Sequence, residues 1–94
     1  MIKLDEAEVA RHLAELPHWS RAGDEISREF DLAGFSPAMA FVNRVAAFAD
    51  EANHHPDILI RYSRVRLTLT THDAGGLTEG DFALARRIDA SQAD

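Results

Sequence analysis

Apolar and polar positions along this chain follow two rhythms. Over residues 5–16, DEAEVARHLAEL, Val9, Leu13 and Leu16 recur at i, i+4 and i+7, the stripe of an amphipathic helix. Asp5 stands at its start with Glu8 three residues on, a capping-box pairing, and Pro17 stops it. Trp19-Ser20-Arg21 predicts a short strand and Ala22-Gly23-Asp24 a turn. From Glu25 to Leu32 the rhythm changes to period two. Ile26, Phe30 and Leu32 share one side with Arg28 interrupting, while Ser27, Glu29 and Asp31 take the other, the pattern of a half-buried strand.

A long helical pattern follows from Pro37 to His55. Ser36 is the expected N-cap and Pro37 the first helical residue. Met39, Val42, Val45, Ala46 and Ala49 form its apolar face, which Phe41 and Phe48 widen, so this helix should lie across a sheet. Pro56 forbids its continuation. Residues 57–62, DILIRY, predict a strand, and Tyr62-Ser63 a tight turn. Residues 64–72, RVRLTLTTH, alternate Val65, Leu67 and Leu69 against Arg66, Thr68, Thr70 and His72. Residues 73–76 predict a loop. Thr78 then caps a last helix with Asp81 at its third position and Leu84, Ala85 and Ile88 on its apolar face. The order is α-β-β-α-β-β-α. Hairpin-length connections favour antiparallel pairing, so the expected class is α+β with helices on one sheet face.

Composition narrows the function. With 94 residues the chain is expected to form a single domain, 1–94, with a modest core that association would reinforce. At 46% apolar and 28% charged residues it is globular rather than disordered. The net charge of -6, with no basic run beyond Arg86-Arg87, argues against direct nucleic-acid binding. No cysteine means no disulfide, thiolate metal site or cysteine nucleophile. The opening MIKLDEAEVARHL has no signal-peptide apolar region, and no apolar run would cross a bilayer, so a cytoplasmic protein is expected.

The candidate chemistry sits in the histidines. His12 and His18 lie among charged neighbours and are expected to be exposed bystanders. His54 and His55 end the long helix, and His72 ends a strand before a glycine-containing loop, at element ends where sites are built. Asp50 is four residues before His54, so on a helix the two share a face and the carboxylate can fix the imidazole tautomer. Plain explanations compete. Histidines favour a helix C-terminus, His72 can be a solvated strand residue, and Asp81 is explained by capping alone. Gly75-Gly76 can serve a turn, Tyr62 strand packing and Trp19 the core. Adjacent helical side chains diverge by about 100°, which does not suit a shared metal ion, and no HExxH is present. No GxSxG or glycine-rich phosphate loop is present either. Proton transfer is what remains.

From Asp50 onward the chain resembles the pterin-4a-carbinolamine dehydratase family. The resemblance is carried by Asp50, His54-His55-Pro56, Tyr62, Val65, the run LTTHDAGGLT from Leu69 to Thr78, and Asp81. It extends more weakly upstream to Trp19, EISREFDLAGF and the FVNRVAAFADEANHH helix. It implies a four-stranded antiparallel sheet with helices on one face. It also implies a dehydratase that removes water from a 4a-hydroxy-tetrahydropterin to give a quinonoid dihydropterin, recycling the cofactor of aromatic amino acid hydroxylases. By position, His54 and His72 would be the acid–base pair and His55 would hold and polarise the substrate. Asp50 and Asp81 would orient histidines, and Pro56, Thr71 and Asp73 would line the site. The family implies no metal and no bound cofactor, and a homodimer or homotetramer. Two positions depart from its pattern: Ile58 stands where many members carry Trp, and Asp50 where many carry Glu. The competing expectations are a non-catalytic dimerisation or assembly protein on the same scaffold and a metal-dependent hydrolase.

Overall fold

A computed structural model describes residues 1–92. Its elements are α1 (Glu6–Ala14), β1 (Ser20–Ala22), β2 (Glu25–Asp31), α2 (Phe35–Ala52), β3 (Asp57–Arg61), β4 (Arg64–Leu69) and α3 (Glu79–Ala90), with a single 3-10 turn at His72–Ala74. The four strands form one antiparallel sheet in the order β1-β2-β4-β3. This is the expected α+β arrangement, and β3 and β1 are its edges.

The period-two stretches explain the core. Ile26 and Phe30 of β2 and Val65, Leu67 and Leu69 of β4 are buried on the helical side, in the register Ile26 to Leu69 and Phe30 to Val65. Arg28 lies between them without breaking the face. Its guanidinium donates to Asp89 of α3 at 2.6 Å and stacks over the Phe30 ring at 4.3 Å. Trp19 is a core anchor, as expected, and its indole N–H donates to the same carboxylate at 2.9 Å. One acid therefore satisfies two polar groups from the sheet side.

The helix starts differ in how well they match expectation. Asp5 caps α1 and accepts from the Glu8 N–H at 2.9 Å, while the Glu8 carboxylate accepts from the Asp5 N–H at 3.2 Å. In α2 the N-cap is Gly34 rather than Ser36, and Pro37 sits at the third helical position. Pro37 is tolerated there because the first N–H groups of a helix have no intrahelical acceptor; the first such bond here runs from Ala38 to Gly34. The buried face of α2 is Ala38, Phe41, Val45 and Ala49. Ala46 is exposed, and Met39, Val42 and Phe48 are half-buried. The stripe is thus rotated toward Phe41, whose ring meets Phe30 at 4.7 Å and draws that side of the helix onto the sheet.

Strand β4 ends at Leu69, earlier than expected, and a bridge between Thr71 and Gly76 closes the loop beyond it. Gly75, at φ 76°, supplies the left-handed turn in that loop. Tyr62 is 72% exposed, at φ 53° in the β3–β4 turn, away from the histidines. His12 is not exposed. It stacks on Phe82 at 4.7 Å and points Nε2 at Glu79, 3.0 Å away, because the apolar faces of α1 and α3 enclose it. No helix among the described residues is long and apolar enough to cross a membrane.

Candidate active site

Asn53 decides where the two adjacent histidines go. Helix α2 stops at Ala52 rather than continuing through His55, and Asn53 turns left-handed at φ 50°, ψ 43°. Its N–H donates to the Asp50 carbonyl at 3.2 Å, and the His54 N–H donates to the Ala49 carbonyl at 3.0 Å. These two bonds are a Schellman ending, with Asn in the place usually held by Gly. His54 and His55 therefore leave the helix axis. The expected contact between Asp50 and His54 on one helical face is absent, because His54 no longer belongs to the helix.

His54 instead reaches the first turn of α3. Its Nε2 lies 2.5 Å from Asp81 Oδ1, and the carboxylate is fully buried. The other carboxylate oxygen accepts the Thr78 N–H at 2.9 Å and the Thr71 hydroxyl at 2.8 Å. A buried anion is costly unless hydrogen bonds satisfy it, and here three donors converge on one carboxylate. An ionised carboxylate only accepts, so the shared proton belongs to Nε2 and the His54 tautomer is fixed.

His55 turns the other way, to the carboxylate that had been expected to serve His54. Its Nε2 donates to Asp50 Oδ1 at 2.9 Å. This pair stands in water: the side chains are 58% and 78% exposed, against 10% and 0% for His54 and Asp81. Neither Nδ1 has a hydrogen-bonding side chain among the described residues, so each histidine keeps one nitrogen for exchange with a ligand.

His72 opens the 3-10 turn instead of closing β4, and its ring is exposed. It joins the other two histidines around an open cleft of about 310 Å³ whose walls are Asn53, His54, His55, Thr70, Thr71, His72 and Asp73. All three histidines singled out in the sequence thus meet at one cleft, together with Thr71 and Asp73. Asp50 and Asp81 stand behind it, each gripping one histidine. Pro56 is half-buried and is not one of the walls. Sequence reasoning missed Asn53 and Thr70 as walls and Thr78 as a buried support. Asn immediately after a helical run is the one signal that could have revealed the turn. Among the described residues no three His, Asp or Glu side chains converge as a metal site would need.

Known proteins share this arrangement of elements along nearly the whole chain. A family model for pterin 4 alpha carbinolamine dehydratase matches residues 2–91. The chain belongs to the pterin 4 alpha carbinolamine dehydratase family. Two relatives provisionally named pterin-4-alpha-carbinolamine dehydratases lie within reach. The one from Chloroflexus aurantiacus is 63% identical over 95% of this chain and 96% of its own. The one from Thermomicrobium roseum is 58% identical over 94% and 95%. Among solved structures, a transcriptional coactivator/pterin dehydratase from Brucella melitensis superposes with a TM-score of 0.89 at 36% identity, covering 94% of this chain and 96% of that one. A pterin dehydratase-like protein identified as a RuBisCO assembly factor in the alpha-carboxysome is similar at a TM-score of 0.62 and 26% identity, covering 77% and 83%. Proteins similar to this chain are thus described by roles other than catalysis as well.

Proposed function

We propose that this chain is a hydro-lyase that dehydrates a 4a-hydroxy-tetrahydropterin to the quinonoid dihydropterin. The reaction removes the proton on the ring nitrogen N5 and the hydroxyl on C4a, forms the N5–C4a double bond and releases water. One proton enters the protein and one leaves it, so the site needs a base and an acid in one cleft and no net change of charge. His54 and His72 are that pair. One takes the N5 proton while the other gives a proton to the departing hydroxyl. His55 holds and polarises the substrate. Asp81 and Asp50 orient His54 and His55, and Asp73, a wall of the cleft, borders the ring. Neither a metal nor a bound cofactor has a step to perform in this scheme. The product would return to an aromatic amino acid hydroxylase in the cytoplasm.

The observation that carries this reading is the convergence of three histidines on one cleft, two of them clamped at Nε2 by carboxylates. Assembly as a homodimer or homotetramer is part of the proposal. It is supported by the unpaired β3 edge, where Ile58 and Leu59 remain 38% and 52% exposed. The likeness to a RuBisCO assembly factor favours a second reading, in which the scaffold binds a partner protein without catalysis.

The deciding experiment follows freshly generated 4a-hydroxy-tetrahydropterin by ultraviolet absorbance, with the intact protein beside His72→Ala. Acceleration by the intact protein that the variant lacks supports the dehydratase. No acceleration over buffer moves the assembly reading to the front.

A further inference from the structure

We infer that Thr71 is a positioning residue for His54, acting through Asp81, and not a contact for the substrate. The inference rests on the dehydratase reading of the same cleft. Thr71 Oγ1 lies 2.8 Å from Asp81 Oδ2 and 2.8 Å from Thr78 Oγ1. A hydroxyl carries one proton, and an ionised carboxylate can only accept. The Thr71 proton is therefore committed to Asp81, and its lone pair receives the Thr78 hydroxyl. Thr78 is fully buried. Its proton has two other acceptors within reach, the Met1 thioether at 3.1 Å and Asp81 Oδ2 at 3.5 Å, and both are longer than the Thr71 contact. The relay runs Thr78 to Thr71 to Asp81 to His54.

Each link is anchored by backbone. Thr71 is tied at both its N–H and its carbonyl to Gly76, at 3.2 and 3.3 Å. The Thr78 N–H holds the same carboxylate oxygen that Thr71 holds, at 2.9 Å. With Oδ2 pinned from two sides, Oδ1 has one direction left, toward His54. Thr71 borders the cleft, but its hydroxyl is engaged by Asp81 and Thr78. Removing that hydroxyl should release the carboxylate to swing and should loosen the imidazole, an effect on turnover rather than on substrate affinity.

The test compares Thr71→Val with Thr71→Ser in the full chain, in two measurements. In pterin turnover, Thr71→Val should lower kcat on the order of 10–100-fold, the usual worth of one hydrogen bond to a charged group, with KM little changed. Thr71→Ser should recover most of the rate. In proton NMR without substrate, the short bond between His54 and Asp81 should give a far-downfield imidazole signal in the wild type and in Thr71→Ser, and that signal should vanish in Thr71→Val. A raised KM with kcat intact would overturn the inference and make Thr71 a substrate contact. A downfield signal that persists in Thr71→Val would overturn it as well. The NMR arm needs no turnover, so failure of the relay is separable from failure of the dehydratase reading.

Discussion

His54 and His55 are neighbours in the chain, and each bonds an aspartate through Nε2, yet the two pairs live under different physics. His54 meets Asp81 inside the protein, where the carboxylate is fully buried and has two further donors. His55 meets Asp50 in water, with more than half of each side chain exposed. Coulomb attraction between exposed partners is screened, and holding both long side chains costs entropy, so such a pair contributes about 0–1 kcal/mol. A buried carboxylate that loses a partner is left undersatisfied, at a cost of about 1–3 kcal/mol. The same two residue types thus make a rigid clamp in one place and an adjustable one in the other. On the dehydratase reading, a site that holds one proton-transfer group still while letting a substrate enter has use for both.

The comparison can be broken most severely by kinetics. His54→Ala and His72→Ala should each lower dehydration by roughly 10²–10⁴-fold, the usual contribution of one positioned acid or base. Equal activity in either variant, measured by absorbance, would remove that histidine from the proton transfers. The next test is stability. In denaturant melts His54→Ala should lose about 1–3 kcal/mol, while His55→Ala should stay within about 0.5 kcal/mol of the wild type. Equal losses would erase the distinction between a buried and an exposed pair. Asn53→Ala should cost about 1 kcal/mol, because an alanine resists the left-handed turn, and Asn53→Gly should be tolerated. If Asn53→Ala keeps full turnover, the turn does not aim the histidines.

The smallest effect lies on the far side of α3. Arg86, and to a lesser degree His12, hold the Glu79 carboxyl below the usual carboxylate range. A lowered folded value means that this contribution is present at neutral pH, and it disappears as pH falls below the ordinary carboxylate value through the depressed one. Glu79 is largely exposed, so Glu79→Gln should change the melting point at pH 7 only slightly, and less still at pH 3.

Much of the fold was legible because its signals are local. Alternation marked β2 and most of β4, and the pairing of Asp5 with Glu8 and of Thr78 with Asp81 marked two helix starts. The histidines of the cleft were legible as residue types at element ends. Their partners were named only through the family resemblance, which gave Asp50 and Asp81 without saying that Asp81 would take His54 and Asp50 would take His55. Asp81 already has a sufficient local reason in capping α3, and its second duty to His54 spans 27 positions that no periodicity records. The reading of Asp50 with His54 failed for a related reason. Spacing i to i+4 implies contact only while the helix lasts, and one left-handed residue ended it. His12 was misjudged because charged neighbours in sequence say nothing about the Phe82 ring that covers it.

That double duty of Asp81 has a consequence for when the protein can work. During synthesis the three histidines leave the ribosome before the turns of α3 that follow Asp81. Until those turns wind, the cap between Thr78 and Asp81 that aims the carboxylate at His54 is incomplete. A nascent chain stopped there would carry the residues of the cleft without its geometry. On the dehydratase reading, chemistry and completion of the last helix would then begin together.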